Sequence, residues 1–307
     1  MTLVGFQFII KLQISGVICM SECRLCPRMC GVDRAVSRGF CGMGENPVIA
    51  RAALHMWEEP CISGKRGSGT VFFCGCTLRC IFCQNHQISR EGVGIEISID
   101  RLRESMEKLI AQGAHNINLV TPTHFLPAIL KCTDKPLGVP LIMNTGGYER
   151  VETIQRLAGR MDIYLPDLKY CDDALGRKFS GAPDYFTYAA PALIEMAKQV
   201  GSPEFDQDGM MQRGMIVRHL VLPGHLGNTF RALRFIKNEL PAGTPVSLMA
   251  QYTPCVPTPY HELNRRLSRL EYDTVVNEMI KLNLDGYVQE LESADEGFIP
   301  PFEKLEI

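Results

Sequence analysis

From residue 70 onward the apolar positions follow two alternating rhythms. Short runs rich in β-branched residues fall at 70–75, 116–121, 140–145, 162–169, 215–222 and 245–252, and each predicts a strand. Between them lie longer amphipathic stretches. The clearest is 100–112: Asp100 is placed to cap the first turn, Leu102, Met106, Leu109 and Ile110 share a face, and Gly113 suits the stop. Residues 149–159, 185–200 and 228–240 repeat that pattern, and a last helix at 271–282 precedes a short apolar run at 287–291. The polar, Gly- and Asp-rich stretch 202–214 reads as an exposed loop. Strands that each feed a helix predict parallel pairing and right-handed crossovers. Six units are too few for a closed eight-fold barrel, so an open partial barrel or a doubly wound sheet is expected. In either, chemistry belongs at the carboxyl ends of the strands.

Composition narrows the class. A chain of 307 residues with 46% hydrophobic and 21% charged positions can bury a sizeable core. The formal charge of −2 carries no footprint for nucleic acid, and no run approaches the roughly 18 apolar residues of a membrane span. Residues 1–20 are apolar but lack a basic start, and Lys11 and Gln13 interrupt them. They read as a leader of no clear role, with Met20 as an alternative beginning. The asymmetric feature is cysteine: 10 of 13 lie within the first 83 residues. An odd total crowded at one end suits metal ligation better than disulfides, and many unpaired thiols point to a reducing cytoplasm.

Directly after the first strand comes Cys76-Thr-Leu-Arg-Cys80-Ile-Phe-Cys83, a C-x3-C-x2-C spacing. Three thiolates on one tight loop suit a 4Fe-4S cluster, and the missing fourth ligand leaves one iron open for a ligand or substrate. Spacing alone also admits a zinc knuckle completed by His86, or three buried free cysteines.

A loop of this spacing after the first strand, with an aromatic residue (Phe82) just before the third cysteine, resembles the radical S-adenosylmethionine superfamily. The resemblance implies an α/β fold, a partial (β/α)6 open barrel of parallel strands, here with a cysteine-rich N-terminal metal-binding extension. It implies that Cys76, Cys80 and Cys83 hold a 4Fe-4S cluster whose open iron chelates the amino and carboxylate groups of S-adenosyl-L-methionine. The backbone near Phe82 would meet the adenine. The implied activity is reductive cleavage to methionine and a 5′-deoxyadenosyl radical that abstracts hydrogen from a substrate. An electron donor such as flavodoxin or ferredoxin is the implied partner.

Residues 52–73 (AALHMWEEPCISGKRGSGTVFF), CGCTLRCIFCQNHQIS, the later PDLKY and the tail GYVQELESADEGFIPPF are similar to uncharacterised homologues of pyruvate formate-lyase activating enzyme. A glycyl radical enzyme is then an implied partner. Modification of a small molecule, a peptide or RNA is the alternative activity, and a non-catalytic iron–sulfur or zinc protein the alternative class. By the same resemblance Asp167 and Lys169 match the D-x-K of glycyl-radical activators, where Asp helps hold a monovalent cation and Lys lies near the reacting groups. A strand-end salt bridge is the plainer account of both. Arg218 matches a basic residue placed near S-adenosylmethionine, and Asn144 and Thr145 end a strand where the family makes polar cofactor contacts. Tyr252, or Gln251, ends the sixth strand where activators often carry an adenine-contacting histidine, which this chain lacks. Many members end the second strand in a Gly-Gly-Glu-like motif that binds the methionine amine. Here that stretch is Thr121-Pro122-Thr123-His124, in which Thr121 offers a hydroxyl and His124 opens the next helix.

Cys23, Cys26, Cys30 and Cys41 set four further thiols in 19 residues, with Gly31, Gly39 and Gly42 permitting tight turns. Four sulfurs close either a zinc site or a second 4Fe-4S cluster, spacing leaves the two open, and unliganded buried cysteines are the plainer alternative. Cys61, Cys74, Cys132, Cys171 and Cys255 read as small buried residues. His55, Trp57, Glu58 and Glu59 read as packing of the amino-terminal segment onto the barrel, with a substrate-facing role as the alternative. The expected organisation is a leader at 1–20, the cysteine-rich segment at 21–66, the barrel at 67–292 and a tail at 293–307.

Overall fold

The computed structural model describes residues 22–291 and Phe302. The 1–20 leader and, Phe302 apart, the 293–307 tail lie outside the described residues. In chain order the strands are β1 Val48–His55, β2 Ser68–Phe73, β3 Ile95–Glu96, β4 Ile117–Val120, β5 Leu141–Thr145, β6 Ile163–Pro166, β7 Glu204–Phe205, β8 Met211–Met215, β9 Val217–Leu220, β10 Val246–Met249 and β11 Gly286–Val288. The helices are α1 Pro60–Ser63, α2 His86–Ser89, α3 Ile99–Ala111, α4 Leu126–Cys132, α5 Val151–Gln155, α6 Asp173–Ser180, α7 Tyr185–Val200, α8 Leu226–Glu239 and α9 Arg269–Lys281.

β2, β4, β5, β6 and β8 pair in parallel in that order. β9 continues the line of β8 and meets the end of β6 through a bridge between Asp167 and Arg218. β10 lies parallel to β9, and β11 parallel to β10. With β8 and β9 taken as one bent strand, spatial order follows chain order through six parallel units. A doubly wound sheet would reverse that order at a switch point, so the doubly wound alternative is set aside. The series stays open, because β2 turns its outer edge to antiparallel β1 and β10 turns its own to β11. α1 brings Cys61 and Ile62 against Ile142, Ile163, Leu165, Met211 and Ile216, an apolar cluster on the inner face of the strands.

Several local expectations shift. α3 starts at Ile99, and its cap is Ser98, whose hydroxyl accepts the Arg101 N–H at 3.1 Å. Asp100 therefore sits inside the first turn, where its charge still favours the helix start. The stretch 202–214 is not a bare loop. β7 and β8 form a hairpin that turns at Gly209 (φ 76°), and Met210 and Met211 are buried. The helix expected over 149–159 is only the short α5. β1, α4 and α6 had no clear periodic signal. Within the cysteine-rich segment, β1 pairs with β2 from Ile49↔Phe73 to His55↔Ser68, so that segment shares the barrel's sheet. Among the described residues no helix is long and apolar enough to cross a membrane.

Candidate active site

The carboxyl ends of the parallel strands curve around one cavity. Its walls include Cys76, Cys80, Phe82 and Cys83 after β2, Thr121 after β4, Asn144 and Thr145 on β5, Asp167 and Lys169 after β6, Arg218 on β9 and Tyr252 after β10. The candidate cysteine triad and the polar positions chosen with it therefore meet in space, although they span 177 positions of chain from Cys76 to Tyr252. A second hollow, lined by Asp134, Lys135, Asp162 and Gln212 among others, lies at the amino ends of β5 and β6 and contains no cysteine.

The loop after β2 aims its sulfurs through local bonds. The Leu78 N–H lies 3.3 Å from Cys76 Sγ, the Ser180 hydroxyl donates to Cys80 Sγ at 2.9 Å, and Cys83 Sγ is 3.4 Å from the Ser89 hydroxyl. Burial raises the Cys76 thiol pKa, and the neighbouring Cys80 and Cys83 raise it further. Burial raises Cys80 as well, with Lys169 opposing it. Sulfurs this confined stay protonated on their own and become thiolates when a cation binds them. Among the described residues no three His, Cys, Asp or Glu side chains converge as ligands of one ion. His86 Nε2 instead lies 3.9 Å from Glu91. A cuboidal cluster takes each cysteine on a different iron and needs no such single point. The donor set fits a cluster.

Below the cysteines runs a buried charge network. Arg218 donates to Asp167 Oδ1 at 3.0 Å, to Glu58 Oε2 at 3.2 Å and to Asn144 Oδ1 at 2.6 Å. Lys169 donates to Asp167 Oδ2 at 2.5 Å, and Asn118 to Glu58 Oε1 at 2.9 Å. Burial by itself would raise Asp167, but the Lys169 and Arg218 charges outweigh it and hold its carboxyl below the usual range. Burial raises Glu58, with Arg218 pulling the other way. Both Asp167 oxygens are thus engaged by cationic donors, and a monovalent cation there would have to displace one of them. Glu58 was assigned to packing by sequence. The structure brings it from the amino-terminal side against Arg218 and Asn144 of the cavity wall, and its one available signal was an acid pair set in the apolar run before Pro60.

The loop after β5 is held by a close approach. A Cβ on Gly147 (φ 77°) would sit 2.1 Å from the Asp167 carbonyl oxygen, so only glycine lets β5 and β6 end side by side. The Tyr185 hydroxyl accepts the Lys169 N–H at 2.9 Å and lies 2.8 Å from that same Asp167 oxygen. Thr121 holds an unusual φ of 58° while its N–H donates to Asn144 O at 2.8 Å. On the aromatic side, the Phe82 and Tyr252 rings meet edge to face at 5.8 Å. The Tyr252 hydroxyl donates to Leu263 O at 2.7 Å, so the ring is what the cavity meets. His124 opens the turn before α4, fully buried with Nε2 2.7 Å from Cys74 O, and burial takes its pKa down to about 3.

Glu149, which sequence reasoning missed, lies buried behind the cavity wall and holds Thr145 of that wall. Its Oε1 accepts the hydroxyls of Thr123 (2.6 Å) and Thr145, while buried Oε2 has no hydrogen-bond partner. Burial pushes its pKa up to about 7, against the lowering effect of both hydroxyls. A folded-state value above the unfolded one means that this group's stability is complete below the ordinary carboxyl value of 4.5 and is lost as pH rises towards 7. Glu149→Gln, which cannot ionise, should therefore raise the melting temperature more at pH 8 than at pH 5. Thermal melts at the two pH values check this, and an equal change at both would refute it.

The quartet Cys23, Cys26, Cys30 and Cys41 lies beside the triad loop. A Cβ on Gly75 would be 2.6 Å from Cys41 O and 2.5 Å from Met43 Cγ. Arg28 donates to Thr77 O at 2.9 Å, and the Arg28 and Arg79 guanidinium groups both lie over the Phe40 ring, at 4.0 and 4.3 Å.

The protein-family model described as the Radical SAM superfamily matches residues 70–233. The uncharacterized protein MJ0674 of Methanocaldococcus jannaschii is 32% identical over 289 residues, covering 90% of this chain and 79% of that protein. Among solved structures, SuiB of Streptococcus suis aligns with a TM-score of 0.49 at 14% identity, over 74% of this chain and 50% of SuiB. A domain of pyruvate-formate lyase-activating enzyme from Bacteroides vulgatus ATCC 8482 aligns with a TM-score of 0.39 at 14% identity, over 55% of this chain and 91% of that domain. The chain thus spans half the length of SuiB.

Proposed function

The chain belongs to the radical SAM superfamily, and from that premise we propose that its cavity cleaves S-adenosylmethionine reductively, using a 4Fe-4S cluster on Cys76, Cys80 and Cys83. The observation that carries this reading is the meeting of three thiols, a polar wall and an aromatic wall in one cavity at the strands' carboxyl ends. When bound, a reduced cluster supplies the electron that splits S-adenosylmethionine into methionine and a 5′-deoxyadenosyl radical, which takes a hydrogen atom from substrate.

The chain's own residues divide the remaining work. Lys169, whose charge opposes the rise in the Cys80 pKa, offsets part of the negative charge of three thiolates. Arg218 holds Asn144 and Asp167 in place and keeps a positive charge beneath the cavity. Asn144, Thr145 and Thr121 offer the polar atoms for the methionine end of S-adenosylmethionine, and Phe82 with Tyr252 offers flat apolar faces for the adenine. Below the cavity wall Asn118 and Arg218 both bond Glu58, which closes these polar groups on one another.

The substrate reading is a glycine Cα on a partner glycyl radical enzyme, supported by the activator-like Asp167-Leu168-Lys169 at the end of β6. Anaerobic reconstitution followed by dithionite and S-adenosylmethionine should yield 5′-deoxyadenosine, measured by chromatography. No product from a fully loaded cluster would sink the cleavage reading. A glycine-centred EPR doublet on the partner tests the substrate reading separately.

A further inference from the structure

The loop after β5 reads Thr145-Gly146-Gly147-Tyr148-Glu149, and its two glycines let the chain double back at once. Gly147 takes a φ of 77°, and the Glu149 N–H donates to Gly147 O at 2.9 Å. Tyr148 pins the bend: its ring stacks on Tyr185 with centroids 6.0 Å apart, and its hydroxyl donates to Asp184 Oδ1. Glu149 is thereby turned back, only 1% exposed, onto the side chain that starts the loop.

Glu149 Oε1 receives two hydroxyls, Thr145 from its own loop and Thr123 from the loop after β4. A carboxylate has no proton to give, so both threonines donate. The same holds for the neutral acid with its proton on Oε2, the buried oxygen that has no hydrogen-bond partner. With its one proton committed to Glu149, the Thr145 hydroxyl keeps only lone pairs, and the Gly147 N–H approaches one of them at 3.4 Å. What Thr145 can offer the cavity it lines is therefore an acceptor.

The neighbouring acceptors are already engaged. Asp167 gives one oxygen to Lys169 and the other to Arg218, Asn144 Oδ1 accepts from Arg218, and Thr145 O accepts the Asp167 N–H at 2.8 Å. Lys169 and Arg218 make the β6 and β9 side the cationic one. A Cβ on Gly146 would lie 3.5 Å from Lys169 Cε, so the lysine runs directly beside this loop. The methionine end of S-adenosylmethionine carries one donor group, the α-amine, and one anion, the carboxylate. The carboxylate is favoured by the two cations and repelled by Thr145 lone pairs with a carboxyl behind them. An N–H donor fits Thr145.

We propose that Glu149 is a positioning residue: by holding the Thr145 hydroxyl as an acceptor, it makes Thr145 Oγ1 the receptor for an N–H of the α-amino group of S-adenosylmethionine. This role rests on the cleavage reading and adds to it which wall takes the amine.

Equilibrium dialysis of the cluster-loaded full chain, with S-adenosylmethionine and with its analogue lacking the α-amino group, gives a ratio of dissociation constants that reports on the amine. The analogue lacking the carboxylate supplies the control ratio. Thr145→Val should lower the amine ratio about tenfold, the usual effect of one hydrogen bond to a polarised donor, and Thr145→Ser, which keeps a hydroxyl, should restore it. Glu149→Leu, which changes no residue of the cavity wall, should lower it roughly fivefold. Glu149→Gln should keep it, because an amide oxygen still accepts both hydroxyls. The carboxylate ratio should not move in any of the four. A merely structural role for Glu149 would weaken all three ligands alike and leave both ratios at their wild-type values. An unchanged amine ratio in Glu149→Leu overturns the positioning role, and one unchanged in Thr145→Val overturns the acceptor, in either case with the cleavage reading intact. Fully loaded wild type that binds none of the three ligands overturns the cleavage reading and this role with it.

Discussion

Cys80→Ala is expected to bring 5′-deoxyadenosine formation below detection while the chain stays folded. Cys80 is the most enclosed of the three cavity sulfurs, and its thiol faces both Ser180 and the Lys169 charge. On the proposed reading, alanine there removes one of the three cluster ligands. Ser180→Ala, which removes only the hydroxyl 2.9 Å from that sulfur, should cost about 10–100-fold in cluster affinity or activity, the usual effect of deleting a ligand's supporting bond. Iron content, the reduced-state EPR signal and product yield read both variants. Full turnover by Cys80→Ala would remove the triad from the chemistry.

The second large effect is expected at Arg218. Its side chain is 15% exposed and binds two carboxylates, Glu58 and Asp167, that are themselves 10% and 13% exposed. Replacing it with methionine keeps the volume and leaves Glu58 without a cation, whereas Asp167 retains Lys169. Stranding a buried charge costs about 3–5 kcal/mol, more than deleting both members of such a pair. Arg218→Met should therefore lower the melting temperature by on the order of 10 °C, and Glu58→Met in the same chain should restore most of it. Circular dichroism melts of the two single variants and the double variant decide the matter. Additive losses would show that Glu58 and Arg218 do not act as a pair.

The candidate site was legible in parts that share one stretch of chain. Cys76, Cys80 and Cys83 declare themselves because the chemistry needs them on one loop, and that loop follows a recognisable strand. Asp167, Lys169, Asn144, Thr145 and Tyr252 were reachable because each ends a strand, and parallel strands present their ends to one face. Thr121 qualified for the same reason, although its positive φ was invisible in sequence. Glu58 and Glu149 were not reachable that way. Glu58 meets Arg218 across 160 positions, and Glu149 receives Thr123 from a different strand loop, so no local spacing marks either contact.

By itself, the sequence determined that parallel strand–helix units follow one another, where the cysteine triad lies, and which candidate residues fall at strand ends. Those follow from side-chain periodicity and loop spacing, which are properties of neighbours along the chain. Only the tertiary structure decided that β1 joins the same sheet, that 202–214 folds back as a hairpin, that Arg218 is shared between two buried acids, and that the quartet lies against Gly75 beside the triad. Each of those depends on which surfaces the crossovers bring into contact. That is settled by burial and close approach between distant segments, as where Gly147 admits the Asp167 carbonyl.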